Sequence, residues 1–526
     1  MTITFLHASK SAEDNPGVLC YPYILLMPLG LTALSNLVRS KGFSSQIIHL
    51  AIESRLDPSF DPAEYLALNQ RKIICLDLHW HYQSSAVIKA ARDIKEKIPD
   101  AKIILGGFTA SFFAPEIIRE YKDIDFVIKG DAEVPLIRLI KLLSRGDDDF
   151  TSVPNLIWRK KNRLVINRQS YKVSQRIIDS LDFADFSTVK NGDHYNRMMI
   201  NESGDLKFGK KNNGIFFYGC GRGCPVNCSF CAGSNISQVS INSRRKAILI
   251  SHDPVISALD GFLKSGSSVW YLCFDPCADR RYYIDLFKKI RKMNMGLGIM
   301  FECWSLPGEE FIDQLVLTFD KNKSKIILSP ECGSDTVRKK NKGYYFSNRD
   351  LLSAIKYISA KGFEVDVHFT AGLPFERKED LIKTLQMINI IKNIEHAEAK
   401  CLPIEFEPAS PWFMSRDKYG ISSERKTFLD YYNIHKTKSE IGYASSYLSV
   451  GEICSFVRLM QAEAKCPKQE SFFLKALTDG PLMINSCNFD NIHLSCRACE
   501  NFNECFTVEV EGAFNRGASK YYPAFA

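Results

Sequence analysis

Three cysteines in one short run carry the strongest chemical signal in the chain. Cys224, Cys228 and Cys231 stand in a CxxxCxxC spacing within Gly219–Ala232. Three thiolates on one tight loop can hold three irons of a four-iron, four-sulfur cluster and leave the fourth iron open to a substrate or cofactor. Zinc is the alternative, but zinc sites typically combine two CxxC pairs and close all four positions. The three-residue gap, the aromatic Phe230 and the neighbouring glycines favour the iron-sulfur interpretation.

A second group of cysteines lies near the end of the chain, in a C-x8-C-x2-C-x5-C spacing. Four thiols so close in sequence can close a tetrahedral zinc site or hold a second iron-sulfur cluster. A third interpretation is that only some of them are ligands. These residues are Cys487, Cys496, Cys499 and Cys505.

The bulk composition narrows the class of protein. With 526 residues, 45% hydrophobic and 24% charged, the chain is expected to form two or three globular domains. Its net charge of +8 is spread over short clusters, which favours a solvated surface over a nucleic-acid site. No apolar run reaches the roughly 18 to 20 residues of a membrane span, and Met1–Leu6 predicts a strand rather than a signal peptide, so we expect a cytoplasmic protein.

Cysteine usage agrees with that compartment. Disulfides are rare in a reducing cytoplasm, yet the chain has 17 cysteines. Metal ligation is therefore the better explanation for the clustered cysteines.

The elements that must position these residues begin with the first 150 residues. Short apolar runs alternate there with helical patterns of 10 to 15 residues, which is typical of βαβ units and a parallel sheet. The pattern predicts a doubly wound α/β domain over residues 1–150, with a binding crevice at the carboxyl ends of its strands.

Three loops at that predicted edge carry unusual residues: Asp77–Ser85, Gly106–Ser111 and Lys129–Glu133. The paired glycines Gly106 and Gly107 let the backbone approach a bulky ligand closely, although they also fit a simple tight turn.

The rest of the chain divides into three predicted segments. Residues 151–205 contain one hairpin and are interpreted as a connector without chemistry. Strands and helices alternate again over 206–425, which predicts a partial or full (β/α) barrel with its active site at the strand ends. Residues 426–526 are predicted to be mainly helical and contain the second cysteine group.

The CxxxCxxC run resembles the signature of radical S-adenosylmethionine (SAM) enzymes. In that family the open iron binds SAM, and one electron from a donor such as flavodoxin or ferredoxin cleaves it to a 5′-deoxyadenosyl radical. By the same resemblance, Glu331 with Ser329 beside it contacts SAM, and Gly372 in a Gly-Leu-Pro element lies near the adenine. Asp275 stands where the family has Gly-Gly-Glu, and is the candidate acceptor for the SAM ammonium.

The first domain also resembles a known type. Pro28–Leu31, Gly106–Gly107 and Gly130–Glu133 look like the cobalamin-binding domain that precedes the radical SAM domain in one large subgroup. The Asp-x-His-x-x-Gly motif, whose histidine ligates cobalt in many cobalamin proteins, is missing from residues 8–22. The resemblance therefore implies cobalamin bound without a histidine at that position.

The loop that contains His79, Trp80 and His81 is then expected to lie under the corrin ring. Its imidazoles and aromatic rings can pack against the macrocycle or approach the lower face of cobalt. The alternative is that its aromatics belong to the core and its histidines to the surface.

Together the two resemblances imply an enzyme that methylates an unactivated carbon or a phosphinate phosphorus of a small-molecule substrate. One rival function uses the same cofactors for a rearrangement or cyclisation without net methyl transfer. Another rival is a cobalamin-binding sensor or electron-transfer protein with a vestigial central domain.

Overall fold

The computed structural model describes residues 1–8, 27–195, 214–434 and 441–465. Its first region is a seven-stranded sheet in the order β2-β1-β3-β4-β5-β6-β7. The strands are β1 (Thr2–His7), β2 (Ser44–His49), β3 (Ile73–Asp77), β4 (Lys102–Gly106), β5 (Phe126–Ile128), β6 (Leu156–Lys160) and β7 (Arg163–Ile166). The first five are parallel, as the alternation of strand and helix patterns predicts, and the last two are antiparallel.

Both faces of this sheet are covered. All five residues of β3 are buried, and alternate residues join two different cores: Ile74 and Leu76 in one, Ile73 and Cys75 in the other. A strand covered on both faces reads as a continuous apolar run, as β3 does. The helices are Leu29–Ser40, Leu50–Leu56, Pro62–Leu68, Ser84–Lys97, Phe108–Phe112, Ala114–Glu120, Glu133–Arg145 and Gln175–Asp179, with a 3-10 turn at His81–Gln83.

The strand order reverses at β1, which pairs with β2 on one side and β3 on the other. In a doubly wound sheet this switch point opens a crevice beyond the carboxyl ends of the two strands. The doubly wound first domain is thereby confirmed.

The hairpin predicted to be a connector extends the first sheet. Its strand β6 pairs antiparallel with β5, and Trp158 is buried against Phe150. The chain then returns to β2, where the Ile47 amide donates to the Thr188 carbonyl at 2.8 Å. The hairpin joins this layer because its apolar face needs a partner surface, so the sheet continues past the expected boundary at residue 150.

The second region is an open sheet of six parallel strands in the order β15-β14-β13-β12-β11-β8. This is the partial (β/α) barrel of the two architectures that the sequence allowed. Its strands are β8 (Gly214–Phe217), β11 (Ser267–Leu272), β12 (Gly298–Cys303), β13 (Lys325–Glu331), β14 (Glu364–Phe369) and β15 (Ala397–Cys401), and short pairs form from β9 (Gly221–Arg222) with β10 (Ile248–Leu249) and β16 (Ile421–Ser422) with β17 (Ala444–Ser445).

The helices of this region are Asn235–Asn242, His252–Lys264, Arg281–Met293, Glu309–Val316, Asp335–Asn341, Asn348–Ala360, Lys378–Ile391, Pro411–Met414, Arg416–Tyr419, Phe428–Tyr432 and Val450–Lys465, with a 3-10 turn at Lys321–Lys323. His252–Lys264 and Asn348–Ala360 pack against the sheet, whereas Phe428–Tyr432 packs against the first region. In the described part of the chain, no helix has both the length and the apolar character that crossing a membrane requires.

The two faces of the barrel sheet differ in chemistry. Alternate strand residues such as Trp270, Ile299 and Val365 pack under the helices in the main core. The intervening residues point to the inner face, where an apolar patch lies on one half of the sheet. That patch consists of Ile215, Val269, Tyr271, Cys273, Met300 and Ile327.

Candidate active site

The loop that follows β8 carries the three cysteines. The antiparallel pair of β9 and β10 holds the first part of this loop against the segment that precedes the helix His252–Lys264. The chain turns at Gly223, which has a φ of 93°. Such a positive φ suits glycine because it has no Cβ to clash. Cys224, Cys228 and Cys231 all line one cavity.

Backbone groups approach two of the thiols. The Gly343 amide donates to Cys228 Sγ at 3.2 Å, and the Gly233 amide donates to Cys231 Sγ at 3.3 Å. Burial raises the pKa of the Cys224 thiol to about 12, so a thiolate at this position needs a cation beside it. Amide donors and a bound metal both stabilise thiolates.

The three thiols line the cavity rather than meet at one point. Within the described ranges, no three histidine, cysteine, aspartate or glutamate side chains are close enough to hold a single metal ion. A four-iron cluster binds each cysteine to a different iron, and three thiols around a cavity are the donor set that it needs. These cysteines therefore fit a cluster.

The end of β13 brings two predicted residues to the same cavity. Ser329 and Glu331 line it together with the cysteines, as the resemblance to radical SAM enzymes implied. Glu331 has a φ of 65°, and its carboxylate accepts from Lys342 Nζ at 3.1 Å. Both side chains are buried, at 5% and 6% exposed, so each charge is compensated by the other.

Three further cavity residues were not singled out in the sequence: Glu302, Trp304 and Tyr344. Glu302 is the last residue but one of β12, an otherwise apolar strand, and follows Met300 and Phe301. Burial raises the pKa of the Glu302 carboxyl to about 8, and its Oε2 lies 3.2 Å from the Tyr271 hydroxyl. A polar residue at a strand end next to a predicted site was the signal that could have found it.

Asp275 lies beside the cavity rather than in its wall. Its carboxylate accepts from Arg280 Nη2 at 2.6 Å and from Arg280 Nε at 3.1 Å, and the Trp304 amide donates to it at 2.9 Å. The side chain is fully buried in this pair. The structure thus places the predicted acceptor for the SAM ammonium in a structural ion pair.

Gly372 also lies outside the cavity wall, in a buried turn. Its φ is 92°, and its amide donates to Glu376 Oε2 at 2.7 Å. A Cβ at this position would come within 2.6 Å of the Tyr443 hydroxyl and 2.9 Å of Ile453. The turn is therefore packed against the C-terminal helix.

The crevice of the first domain is bounded by two loops that touch through Gly107. Its φ is 105°, and a Cβ there would lie 2.6 Å from the Leu78 carbonyl group. A Cβ on Gly106, by contrast, would meet nothing within 4 Å. The backbone of one loop thus seats against the other, and open space remains beside Gly106 for a large ligand.

His79 and Trp80 lie at this crevice. Burial lowers the pKa of the His79 imidazole, which keeps it neutral near pH 7. The Trp80 ring stacks on Tyr82 at 5.8 Å between centroids, and its buried Nε1 has no hydrogen-bond partner among the described residues. A neutral imidazole and a buried indole N–H without a partner are compatible with contacts to the edge and the tail of a cobalamin.

His81 points away from that crevice, toward the barrel. Its Nε2 lies 2.9 Å from Glu405 Oε2, and its ring packs edge-on against Tyr431 at 5.2 Å. Two residues further along the chain, Glu407 Oε2 accepts from the Ala232 amide at 3.1 Å. His81 therefore belongs to the contact between the two regions, next to the cysteine loop.

The third predicted loop of the first domain is part of the same contact. Glu133 Oε1 lies 2.5 Å from Arg222 Nη1, and Asp131 pairs with both Arg222 and Arg244. Arg222 stands two residues before Cys224. The acidic residues of this loop thus hold the cysteine loop instead of facing the crevice.

The second cysteine group, Cys487 with Cys496, Cys499 and Cys505, lies outside the described residues, and its metal stays a prediction.

Comparisons with known families match both regions. The Radical SAM superfamily matches residues 218–388, and the B12 binding domain matches residues 20–140.

Two curated proteins resemble parts of the chain. The hopanoid C-3 methylase of Methylococcus capsulatus is 24% identical over 221 residues, which cover 41% of this chain and 38% of the relative. The anaerobic magnesium-protoporphyrin IX monomethyl ester cyclase of Rubrivivax gelatinosus is 22% identical over 322 residues, which cover 57% and 52%. The chain thus spans about half or less of the length of these relatives.

Two solved structures share the fold across most of the chain. The radical SAM methyltransferase TsrM from Kitasatospora setae, with cobalamin and a 4Fe-4S cluster bound, has a TM-score of 0.63 at 14% identity and covers 88% of each chain. The cobalamin-dependent SAM radical enzyme OxsB, with aqua-cobalamin and SAM bound, has a TM-score of 0.65 at 14% identity and covers 88% of this chain and 66% of its own.

The sequence matches identify both halves, and the structural likeness shows that the halves follow one another in the same fold. The chain thus contains a radical SAM domain that is preceded by a B12-binding domain.

Proposed function

We propose that the protein transfers a methyl group from cobalamin to an unactivated carbon or phosphorus centre of a small molecule. One contact carries this proposal. His81, on the crevice loop of the B12-binding domain, pairs with Glu405, and Glu407 accepts from the amide that follows Cys231. Two acidic residues of one segment thus contact both the loop that follows β3 and the loop that carries the cysteines. This contact supports the proposal, because a transfer between two cofactors requires that the loops that bind them lie close together.

The residues of this chain have distinct roles in the proposal. Cys224, Cys228 and Cys231 hold the cluster, and Ser329 with Glu331 contacts SAM in the same cavity. The crevice beside His79, Trp80, Gly106 and Gly107 holds cobalamin. When bound, these groups supply an electron, a carbon-centred radical and a methyl group, and the protein supplies position and exclusion of water.

The names of two similar proteins support methyl transfer, since the hopanoid C-3 methylase and TsrM are both methylases by name. The cyclase from Rubrivivax gelatinosus supports the second candidate, a cyclisation or rearrangement without net methyl transfer, and it matches the larger share of this chain.

The deciding experiment uses protein that is purified without oxygen and reconstituted with iron, sulfide and cobalamin. With SAM and reduced flavodoxin or dithionite as electron donor, we expect 5′-deoxyadenosine. With SAM labelled in its methyl group, we expect the label in a product that is heavier than its substrate by one methylene unit.

Two other outcomes would each support one of the alternative functions. A product without label supports the cyclisation or rearrangement. No SAM cleavage in protein that contains both cluster and cobalamin supports the sensor or electron-transfer protein instead.

We keep the predicted division of the chain with one change; its segments are residues 1–150, 151–205, 206–425 and 426–526. We propose that the hairpin β6–β7 and the segment up to Val189 belong with the B12-binding domain, because they pair with its sheet. A cytoplasmic location remains a prediction of the sequence.

A further inference from the structure

Among the described residues, the charges on the inner face of the barrel are compensated with one exception. Each described lysine on this face or in the cavity wall has a carboxylate within 3.2 Å. The pairs are Lys325 with Glu364 and Asp366, Lys342 with Glu331, and Lys400 with Glu398. A buried charge without a partner is costly, so such pairing is the expected arrangement.

The exception is Glu302. It is 4% exposed and lies in the wall of the cavity that the three cysteines also line. Its hydrogen-bond partner is the buried hydroxyl of Tyr271 at 3.2 Å. In the part of the chain that the structure describes, no lysine, arginine or histidine forms an ion pair with Glu302. The positive charge of Lys342 lowers the pKa of Glu302, but Lys342 itself is paired with Glu331.

The cavity wall thus contains a buried carboxyl group that has no basic partner among the described residues. Burial raises its pKa to about 8, because an ionised carboxylate is poorly stabilised in this wall. A ligand that brings a cation to the carboxylate removes this penalty, whereas an apolar ligand seals the carboxyl away from water and leaves it unsatisfied.

We infer that Glu302 is the recognition residue for a protonated amine on the substrate, and that Tyr271 orients its carboxylate. The inference rests on the proposed function of the same cavity and names the class of substrate. The substrate is a small polar molecule with an aliphatic amine, rather than an apolar polycycle.

SAM also carries an amine, and it is the alternative source of this chemistry. The two sources differ in one respect. If the carboxylate serves SAM, an amine-bearing molecule cannot bind there once SAM is in place. If it serves the substrate, both bind together.

The test uses the protein reconstituted with cluster and cobalamin, and two probes of nearly equal size, n-butylammonium and n-butanol. Ligand-detected NMR at saturating SAM measures the affinity of each probe. We expect the wild type to prefer the ammonium by about 10- to 100-fold, the range of a hydrogen bond to a charged group. Glu302→Gln should reduce this preference to within about twofold, since it retains the shape and loses the charge.

Two variants complete the design. Tyr271→Phe keeps the carboxylate but loses the hydroxyl, and it should lower the ammonium preference by about threefold to tenfold. Glu309→Gln, on an exposed helix start, is the matched control and should leave the preference unchanged. If Glu302→Gln fails to fold by circular dichroism, Tyr271→Phe carries the test.

Three results would overturn the inference: equal affinity of the wild type for both probes, displacement of the ammonium by SAM, or a parallel loss of SAM affinity in Glu302→Gln. Unchanged SAM affinity in that variant supports it. Cleavage of SAM by the wild type is measured separately, so a failure of the proposed function is distinguishable from a failure of amine recognition.

Discussion

The cysteine cavity and the cobalamin crevice are assembled in different ways. The cavity takes its three thiols from one loop, within a segment of eight residues from Cys224 to Cys231. The crevice takes its walls from loops after β3 and β4, which are neighbours in the sheet but about thirty residues apart in the chain. The first kind of site is determined by the spacing of residues within one segment, whereas the second depends on how the strands pair.

Their electrostatics differ as well. The cavity wall contains a buried ion pair, Glu331 with Lys342, and the uncompensated acid Glu302. The crevice instead presents a neutral imidazole at His79 and glycine backbone. A charged wall suits a polar reactant beside a cluster, and a neutral wall suits the broad face of a macrocycle.

The largest expected effect comes from the cysteine loop. Cys228→Ser should remove one iron ligand and reduce SAM cleavage at least 100-fold, because the cluster is then incomplete. Iron content and 5′-deoxyadenosine formation measure this change. Cys277→Ser, a half-buried thiol outside the cavity wall, is the control and should retain both. Normal iron content in Cys228→Ser would contradict the assignment.

The ion pair of the cavity gives the next effect. Lys342→Met should lower the free energy of unfolding by about 3–5 kcal/mol, because Glu331 is left buried without its cation. Denaturant titration measures it, and Lys292→Met on the surface is the control. The double variant Glu331→Gln with Lys342→Met should recover most of the loss. A loss no larger than in the control would show that the pair is open to solvent.

A glycine pair tests the crevice. Gly107→Ala should destabilise the protein by about 1–3 kcal/mol, because its φ of 105° and the contact with Leu78 both disfavour a Cβ. Gly106→Ala is a matched control with open space around the added methyl group. Urea unfolding and the cobalamin retained after gel filtration measure both. Equal stability of the two variants would mean that the loops do not touch as described.

The pH dependence of stability tests one buried group in each region. Burial raises the pKa of Glu376 from 4.5 to about 8, so the unfolded chain releases this proton first and stability falls as the pH rises between those values. The slope is at most about 1.4 kcal/mol per pH unit for one group. Glu376→Gln should remove this slope in unfolding curves recorded from pH 5 to 8.

His79 should act in the opposite direction. Burial lowers its pKa below 6.5, so its contribution to stability is lost as the pH falls below that value. His79→Gln should therefore flatten the acid side of the same curves and leave the slope due to Glu376 in place. A variant that changes neither slope would contradict the burial of that side chain.

The sequence predicted the parts of the site that depend on local pattern. The cysteine spacing and the strand that ends at Glu331 were readable because each lies in one continuous segment. Glu302 was missed because a single acid near the end of an apolar strand does not form a motif with a recognisable spacing. Asp131 and Glu133 were expected at the crevice, but their arginine partners lie about ninety or more residues away in the chain. Ion pairs between residues so far apart in the chain produce no recognisable pattern in a single sequence.

The arginine contact has a consequence for the molecule as a whole. Arg222 and Arg244 come from the radical SAM domain, and their buried acceptors come from the B12-binding domain. Separating the halves would expose an acidic surface on one fragment and a basic surface on the other. It would also uncover the rings of Phe113 and Phe413, one from each half, which pack against each other. We therefore expect the two halves to melt in a single cooperative transition, and neither to express well without the other.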